Sequence, residues 1–175
     1  MSTQDAALPA APKVEGAAPH VLIVRAPYYK EVADGLETGA ARILREAGAT
    51  FEVLDIAGAY ELPQAVRLAL RGTKKFDAYV ALGCIVRGET DHYDFICAAS
   101  MNGLMDVSLQ FGLCLGVGLL TCDTIAQAEA MSASSEARSS GTLAREGPMP
   151  TLVMSGGRRQ RKTRSPGSST SRPNG

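Results

Sequence analysis

The chain has 175 residues, of which 45% are hydrophobic and 21% are charged, and this composition is ordinary for one soluble globular domain. Its 18 Lys and Arg balance 18 Asp and Glu, so the net charge indicates no polyanionic partner. No apolar stretch approaches the roughly 20 residues that span a bilayer, and the N-terminus lacks a secretory signal pattern. We therefore expect a cytoplasmic protein without a membrane partner.

Four cysteines are scattered along the chain without a C-x-x-C pair: Cys84, Cys97, Cys114 and Cys122. Each lies in an apolar strand-like or helix-like environment. This pattern is typical of reduced, buried thiols in a cytosolic protein, and it predicts neither a disulfide framework nor a metal site.

Apolar runs alternate with helical repeats along residues 20–131, which we predict to form one α/β domain. We predict strands at 21–25, 51–56, 77–84 and 113–120, and helices at 32–47, 62–70, 91–111 and from Ile125 onward. Thr121 or Asp123 is expected to cap the fourth helix. The predicted inner stripe of the third helix consists of Cys97, Met101, Leu104 and Met105. Such alternation predicts a parallel four-stranded sheet flanked by helices, with right-handed crossovers.

The two ends of the chain have a different composition. Residues 1–19 are rich in Ala, Pro and Gly, and we predict a disordered arm. Residues 132–175 hold seven Arg and one Lys against two Glu, among many Ser, Gly and Pro, and we predict a disordered basic tail. Because no aromatic residues are interleaved with these charges, we do not expect nucleic acid as a partner. A shift of reading frame near residue 131 is a second explanation for the tail.

The segment LGCIVRGETDHYDF (82–95) has the pattern of a strand, a polar loop and a helix start. Ligands of open α/β sheets bind at the C-terminal ends of strands. His92 is one of 2 histidines, and its unperturbed pKa near 6.5 suits a proton carrier. Gly88 and Thr90 lie near the predicted helix start, which favours phosphate binding. The structural alternative is that Thr90 or Asp91 simply caps the third helix.

Aromatic residues follow the first two predicted strands. Tyr28 and Tyr29 come after the first strand, and Tyr60 and Glu61 come after the second. Since parallel strands end at the same edge of a sheet, these side chains are expected on the edge that carries His92. The rings are suited to stacking on a flat heterocycle, and Glu61 to binding hydroxyl groups. Plain packing or surface exposure is the alternative for each ring.

Other chemistries are disfavoured by the spacing of the polar residues. His92 and Asp94 are separated by one residue and no second cluster supplies metal ligands, so we expect no metal. The chain lacks a G-x-G-x-x-G loop after the first strand, a Walker-type loop and a G-x-S-x-G elbow. A flavodoxin-like electron carrier is disfavoured because no Ser, Thr and Gly phosphate loop follows the first strand.

The segment 82–95, together with Gly58-Ala59-Tyr60-Glu61-Leu62-Pro63, resembles lumazine synthase, the penultimate enzyme of riboflavin biosynthesis. The resemblance extends from about Val21 to about Ala130. It implies a three-layer, flavodoxin-like parallel four-stranded sheet and a transferase without a cofactor. It also implies small-molecule substrates and a homo-oligomer, either a pentamer or a multiple of one.

The implied reaction condenses 5-amino-6-(D-ribitylamino)uracil with 3,4-dihydroxy-2-butanone 4-phosphate to give 6,7-dimethyl-8-ribityllumazine. By resemblance, Tyr28 stacks on the pyrimidinedione, and Ala59, Tyr60 and Glu61 bind the ribityl chain and the ring. The loop after the third strand is expected to bind the ring through Cys84, Ile85 and Val86.

The remaining implied roles concern phosphate, protons and a neighbouring subunit. Glu89 and Thr90 match the residues that receive the phosphate, and His92 matches the proposed proton donor and acceptor. Val117 stands where the neighbour's aromatic residue is common, and Met131 stands where an Arg for the phosphate is expected. These departures predict weak binding of the phosphorylated substrate. They leave open a lumazine- or flavin-binding or scaffold module that has the fold but is impaired in catalysis.

Overall fold

A computed structural model describes residues 16–137, which form a parallel four-stranded sheet of order β2-β1-β3-β4. The strands are β1 (His20–Arg25), β2 (Thr50–Asp55), β3 (Ala78–Val86) and β4 (Leu115–Cys122). The helices are α1 (Lys30–Glu46), α2 (Leu62–Arg71), α3 (His92–Phe111) and α4 (Ile125–Ala137). The predicted fold class and the order of all eight elements are confirmed. None of the described helices is long and apolar enough to cross a membrane.

The helices cover both faces of the sheet and bury a core on each side. Alternate residues of β1 enter different cores, as with Ile23 on the side of α1 and α4 and Val24 on the side of α2 and α3. Both side chains are fully buried. The resulting three layers explain why β1 and β3 are continuous apolar runs rather than alternating ones.

A capping box begins α4. The backbone N–H of Gln127 donates to Oγ1 of Thr124 at 3.3 Å, and the N–H of Thr124 donates to Oε1 of Gln127 at 3.2 Å. The expectation that Thr121 or Asp123 caps this helix is therefore wrong. The T-x-x-Q spacing satisfies two terminal N–H groups at once, which one isolated cap residue does not achieve.

Helix α4 continues six residues past Met131, to Ala137. Ser132 is 5% exposed and packs against Gly35 of α1, where an added Cβ would lie 3.2 Å from Cβ of Ser132. The small residues permit a close approach of α1 and α4, and this packing outweighs the weak local helix signal. Residues 132–137 are thus helical, although we expected them in the tail. The rest of the tail and most of the predicted arm lie outside the described residues.

The predicted inner stripe of α3 is only half correct. Leu104 is buried and Cys97 is partly buried, but Met101 is 46% exposed and Met105 is 59% exposed. Ser100, rather than either Met, joins Leu104 against the sheet. Because α3 is apolar on more than one side, its sequence pattern did not identify the side that faces the sheet.

Candidate active site

The strand order creates a crevice at the C-terminal edge of the sheet. From β1 the chain passes to β2 on one side, and later to β3 and β4 on the other. The ends of β1 and β3 therefore flank a topological switch point, where open α/β sheets bind their ligands. Residues 26–29 follow β1 at this point, and residues 87–91 follow β3.

Strand β3 extends beyond β1 into this crevice. Pairing with β1 ends at Leu82, whose carbonyl accepts a hydrogen bond of 2.9 Å from the N–H of Ala26. From Gly83 to Val86, β3 pairs with β4 alone among the described strands. Backbone groups alternate in direction along a parallel strand, so Cys84 and Val86, like Leu82, direct their N–H and C=O groups toward the crevice. These groups are available to a ligand.

The side chains of these last β3 residues are largely buried. Cys84 is 6% exposed and packs toward α1 and α4, whereas Ile85 is 8% exposed and packs toward α2 and α3. Burial, together with nearby Cys122, raises the pKa of the Cys84 thiol to about 12. We predicted a strand that ends at Cys84, with Ile85 and Val86 in the loop after it, but all three residues belong to β3. The groups of this strand that could form hydrogen bonds with a ring are therefore the backbone N–H and C=O groups of Cys84 and Val86.

His92 is the first residue of α3 and is exposed. It follows the exposed segment 88–91, which includes Glu89 and Thr90. Within the part of the chain that the structure describes, no side-chain hydrogen bond caps α3, and Asp91 occupies the N-cap position. The alternative role of Thr90 or Asp91 as a plain helix cap is thus not what the structure shows. The N–H of Asp94 donates to the carbonyl of Asp91 at 3.1 Å, which leaves the N–H groups of His92 and Tyr93 at the start of α3, where such groups favour an anion.

Two tyrosine rings stand exposed at the same edge. Tyr28 is 73% exposed and Tyr60 is 57% exposed, so both present ring surface that the core does not use. Tyr29 instead packs partly against the core beside α1, with its ring centroid 5.0 Å from that of Tyr28. Burial raises the pKa of Tyr29. Packing is therefore the role of Tyr29, whereas the other two rings remain available for stacking.

A short 3-10 turn (Ala59–Glu61), which the sequence did not predict, connects β2 to α2. Ala59 is 8% exposed and anchors the turn in the core. The N–H of Glu61 donates to the carbonyl of Gly58 at 3.2 Å. A Cβ at Gly58 would lie 3.1 Å from Oε2 of Glu61, so the glycine leaves room for this carboxylate to fold back. The turn presents Tyr60 and Glu61 at the end of β2, next to β1.

Arg87, at the end of β3, makes contacts that the sequence did not reveal. Its Nε lies 3.0 Å from Asp123, its two terminal nitrogens lie 3.2 and 3.3 Å from Asp94, and its guanidinium lies 4.1 Å from the ring centroid of Tyr93. These carboxylates raise the pKa of Arg87. Arg87 and Asp94 occur in one motif, and this was the only sequence signal for the cluster. Asp123 is 36 residues away from Arg87, so no local pattern indicates their contact.

Val117 is the one predicted site residue that lies far from the others. It pairs with Ala81 in the middle of the sheet, about 16 Å from the C-terminal end of β4 at 3.3 Å per residue. It lines a pocket of about 150 Å³ between α3 and β4. The other lining residues are Met101, Leu104, Met105, Ser108 and Leu115. Val117 and His92 therefore do not belong to one compact site within a single copy of the chain.

Among the described residues, no group of three or more His, Cys, Asp and Glu side chains is placed to hold a metal ion. All four cysteines are free thiols. The polar groups at the edge are instead backbone amides, an imidazole, a hydroxyl and carboxylates. This set is suited to hydrogen bonding and proton transfer with an organic substrate.

The sequence model of one family, 6,7-dimethyl-8-ribityllumazine synthase, matches residues 18–147. This chain belongs to the lumazine synthase family. The match continues beyond Ala130, where we expected the resemblance to end, and it includes every described helix and strand.

Individual lumazine synthases agree with this assignment. The protein named 6,7-dimethyl-8-ribityllumazine synthase 1 of Mesorhizobium japonicum is 41% identical over 130 residues, covering 72% of this chain and 79% of that protein. The synthase of Agrobacterium fabrum is 41% identical over 131 residues, covering 73% and 88%. The synthase of Azorhizobium caulinodans is 43% identical over 132 residues, covering 73% and 80%.

Proposed function

We propose that this chain is a 6,7-dimethyl-8-ribityllumazine synthase of riboflavin biosynthesis. It condenses 5-amino-6-(D-ribitylamino)uracil with 3,4-dihydroxy-2-butanone 4-phosphate and releases phosphate and water. The observation that carries the proposal is the position of His92 at the β1–β3 switch point of a lumazine synthase fold.

The aminouracil binds in the crevice between β1 and β3. Its ring has N–H donors and carbonyl acceptors at its edge, which match the outward backbone groups of Cys84 and Val86. The exposed ring of Tyr28 stacks on its face, and an offset aromatic pair contributes about 0.5–1.5 kcal/mol beyond its buried area. The ribityl hydroxyls donate to the carboxylate of Glu61, beside Ala59 and Tyr60.

The phosphate of the second substrate binds at the start of α3. Glu89 and Thr90 precede this helix, and no side chain of the described residues caps its first N–H groups, those of His92 and Tyr93. The backbone N–H groups and the Thr90 hydroxyl donate to the phosphate oxygens, and the helix dipole favours the negative charge. The same interactions stabilise the phosphate as it leaves.

His92 transfers the protons of the reaction. Imine formation, phosphate elimination, ring closure and dehydration each move a proton to or from carbon, nitrogen or oxygen. An exposed imidazole beside the phosphate site can take a proton in one step and return it in the next. The steps balance without an external oxidant or reductant. Much of the acceleration comes from holding two reactants together, which can supply about 7–11 kcal/mol in well-oriented systems.

The active protein is a homo-oligomer, a pentamer or a multiple of one. Two observations support this part of the proposal: Met101 and Met105 are exposed on α3, and they border the apolar pocket that contains Val117. Large exposed apolar surfaces of this kind mark association sites. In such a ring, the neighbour on one side would cover this pocket with its His92 edge, and the neighbour on the other side would bring its own Val117 side of the sheet toward the His92 edge of this chain.

The phosphorylated substrate binds weakly in this chain. Met131 contacts the core of the sheet, with Sδ 3.9 Å from Sγ of Cys122. A thioether offers no charge to a phosphate, and a hydrogen bond to a charged group commonly contributes about 1.5–3 kcal/mol. Turnover is therefore expected at high concentrations of this substrate.

The test is to mix the purified full chain with both substrates and follow the absorbance of the lumazine product. We expect turnover that His92→Gln lowers by about 10²- to 10⁴-fold, the usual contribution of general acid–base catalysis. His20→Gln is the matched control, because His20 begins β1 at the opposite edge and bonds to Thr50 and Glu52. Tight binding of a lumazine without turnover would instead support the binding-module alternative.

A further inference from the structure

Arg87 joins three elements around the phosphate-binding segment. Its backbone N–H donates to the carbonyl of Cys122 at 2.9 Å, which extends the β3–β4 ladder by one step. Its side chain bonds to Asp94 in the first turn of α3 and to Asp123 in the connection between β4 and α4. Residues 88–91 are consequently held at both ends, between a fixed strand end and a fixed helix start.

Arg87 also contacts Tyr93, the residue that directly follows His92. The guanidinium lies 4.1 Å from the ring centroid of Tyr93, within the range of a cation–π interaction. Tyr93 is partly buried against the core on the side of α2 and α3. The first turn of α3 thus cannot rotate without breaking this contact or the two contacts with Asp94.

The charge balance disfavours Arg87 itself as the phosphate ligand. One guanidinium faces two carboxylates, Asp94 at 3.2 Å and Asp123 at 3.0 Å, so the cluster has a net negative charge. A phosphate that approached Arg87 directly would meet both carboxylates. The stabilising value of the cluster for folding is small, since its members are partly exposed and surface ion pairs contribute little.

We propose that Arg87 is a positioning residue: it fixes segment 88–91 and the first turn of α3 so that Thr90 and His92 meet the phosphorylated substrate together. The substrate named in this inference rests on the proposed function. The fixing of segment 88–91 and the first turn of α3 by Arg87 rests on the geometry alone. The proposal assigns Asp94, Asp123 and the Tyr93 ring as the partners through which Arg87 acts.

The kinetic test compares Arg87→Gln with Arg87→Lys in the full chain. Arg87→Gln should raise KM for the phosphorylated substrate by about ten- to a hundredfold, the effect of misplacing a positioned group, and leave KM for the aminouracil unchanged. Arg87→Lys should recover part of the loss. Arg67→Gln is the matched control, because Arg67 makes a cation–π contact of the same 4.1 Å with Phe111, away from the site.

Asp123→Asn separates positioning from direct phosphate contact. If Arg87 positions the segment, removing a partner carboxylate weakens binding of inorganic phosphate, as Arg87→Gln does, and the double variant is little worse than either single one. If Arg87 bound phosphate directly, Asp123→Asn would release positive charge and tighten phosphate binding. That result would overturn the proposal.

A readout independent of turnover keeps this inference distinct from the proposed function. Amide hydrogen exchange of residues 88–93 should become about tenfold faster in Arg87→Gln, because local opening is no longer opposed by the cluster. Tyr93→Phe keeps the ring face but loses the hydrogen bonds of the hydroxyl with Cys97 and Thr121, so it should raise the exchange rate less than Tyr93→Leu, which also loses the contact with Arg87. Unchanged exchange in Arg87→Gln would overturn the proposal even for an active enzyme. An inactive parent chain with the expected exchange would count only against the proposed function.

Discussion

Gly103 of α3 lies directly against Pro63 at the start of α2, so closely that an added Cβ would stand 2.8 Å from Cγ of the proline ring. The missing side chain lets the two helices on this face of the sheet pack tightly. Pro63 follows the turn that carries Tyr60 and Glu61, and α3 begins at His92. The contact therefore ties together the helices that present two parts of the proposed site.

Gly103→Ala should lower the free energy of unfolding. Alanine favours a helix over glycine, but a rigid proline ring cannot move aside, and overpacking typically costs about 1–3 kcal/mol. Urea unfolding of both proteins measures the difference. Asn102→Ala, at an exposed neighbouring position of the same helix, should be neutral or slightly stabilising. An equal gain in both variants would show that the helices adjust without cost.

Ser100→Ala should leave stability unchanged or raise it by about 1 kcal/mol. The Ser100 hydroxyl is fully buried and has no hydrogen-bond partner within the described structure, and an unsatisfied buried polar group is destabilising by about 1–3 kcal/mol. Ser108→Ala is the comparison, because the Ser108 hydroxyl donates to the carbonyl of Leu113 at 3.3 Å. Thermal unfolding should rank Ser100→Ala above Ser108→Ala, and the reverse order would refute this assignment.

Stability should fall in alkaline solution because of Cys84. Burial raises the pKa of its thiol from 9.0 to about 12 in the folded chain, so the unfolded chain loses its proton first. The contribution of the Cys84 thiol to the free energy of unfolding is complete below pH 9.0. It is lost progressively between pH 9.0 and about 12, with a slope of up to about 1.4 kcal/mol per pH unit. Cys84→Ala should flatten this part of the profile in urea titrations, and an unchanged slope would contradict the shift.

Arg25 should stabilise the fold at neutral pH and contribute much less to its stability in acid. Its side chain is 14% exposed and contacts three carboxylates, those of Asp34, Glu37 and Asp55. The hydrogen bond from Arg25 is the main cause of the lowered pKa of Asp55, whereas Lys30 is the main cause for Asp34. Groups with lowered pKa values stabilise the fold above the unfolded-state pKa and lose this effect as pH falls through the folded-state value.

Arg25→Met therefore removes a cation shared by three carboxylates, of which only Asp34 keeps a second one, Lys30, and it should destabilise the chain at pH 7 by clearly more than Arg42→Met. Within the described residues, the ion pair of Arg42 is an i,i+4 pair with Glu46, and such pairs contribute about 0.3–0.5 kcal/mol. The difference between Arg25→Met and the parent should shrink below about pH 4, where the unfolded carboxylates take up protons. A difference that stays constant with pH would show that packing, and not charge, is responsible.

Met131→Arg should lower KM for the phosphorylated substrate by about tenfold or more, which corresponds to regaining one hydrogen bond to a charged group. The arginine stem can occupy the partly buried place of the methionine while its head reaches solvent. Met131→Gln, which adds polarity without charge, should have little effect. An unchanged KM in Met131→Arg would show that the missing cation is not what limits binding.

The sequence predicted the elements of the fold well because their signals are local. Apolar runs such as 78–84 and the helical repeat from Val32 to Ala47 do not depend on distant residues. The motif of segment 82–95 also placed His92 at the correct edge.

Features that depend on two distant segments could not be predicted in this way. The overhang of β3 depends on where β1 ends relative to Leu82, which is a matter of register. The contact of Arg87 with Asp123 joins positions 36 residues apart. The outward Met101 side of α3 depends on which side of an apolar helix meets the sheet, and packing decides that choice.

The overhang of β3 also has a consequence for the empty protein. A strand edge with unpaired N–H and C=O groups is a template for the strands of other molecules and so promotes aggregation. Here the edge is confined to Gly83–Val86, between the tyrosine that follows β1 and the segment that precedes α3. A flat heterocycle bound in the crevice, as proposed above, would satisfy those groups and shield them at the same time. We therefore expect bound substrate to lower the tendency of this edge to aggregate.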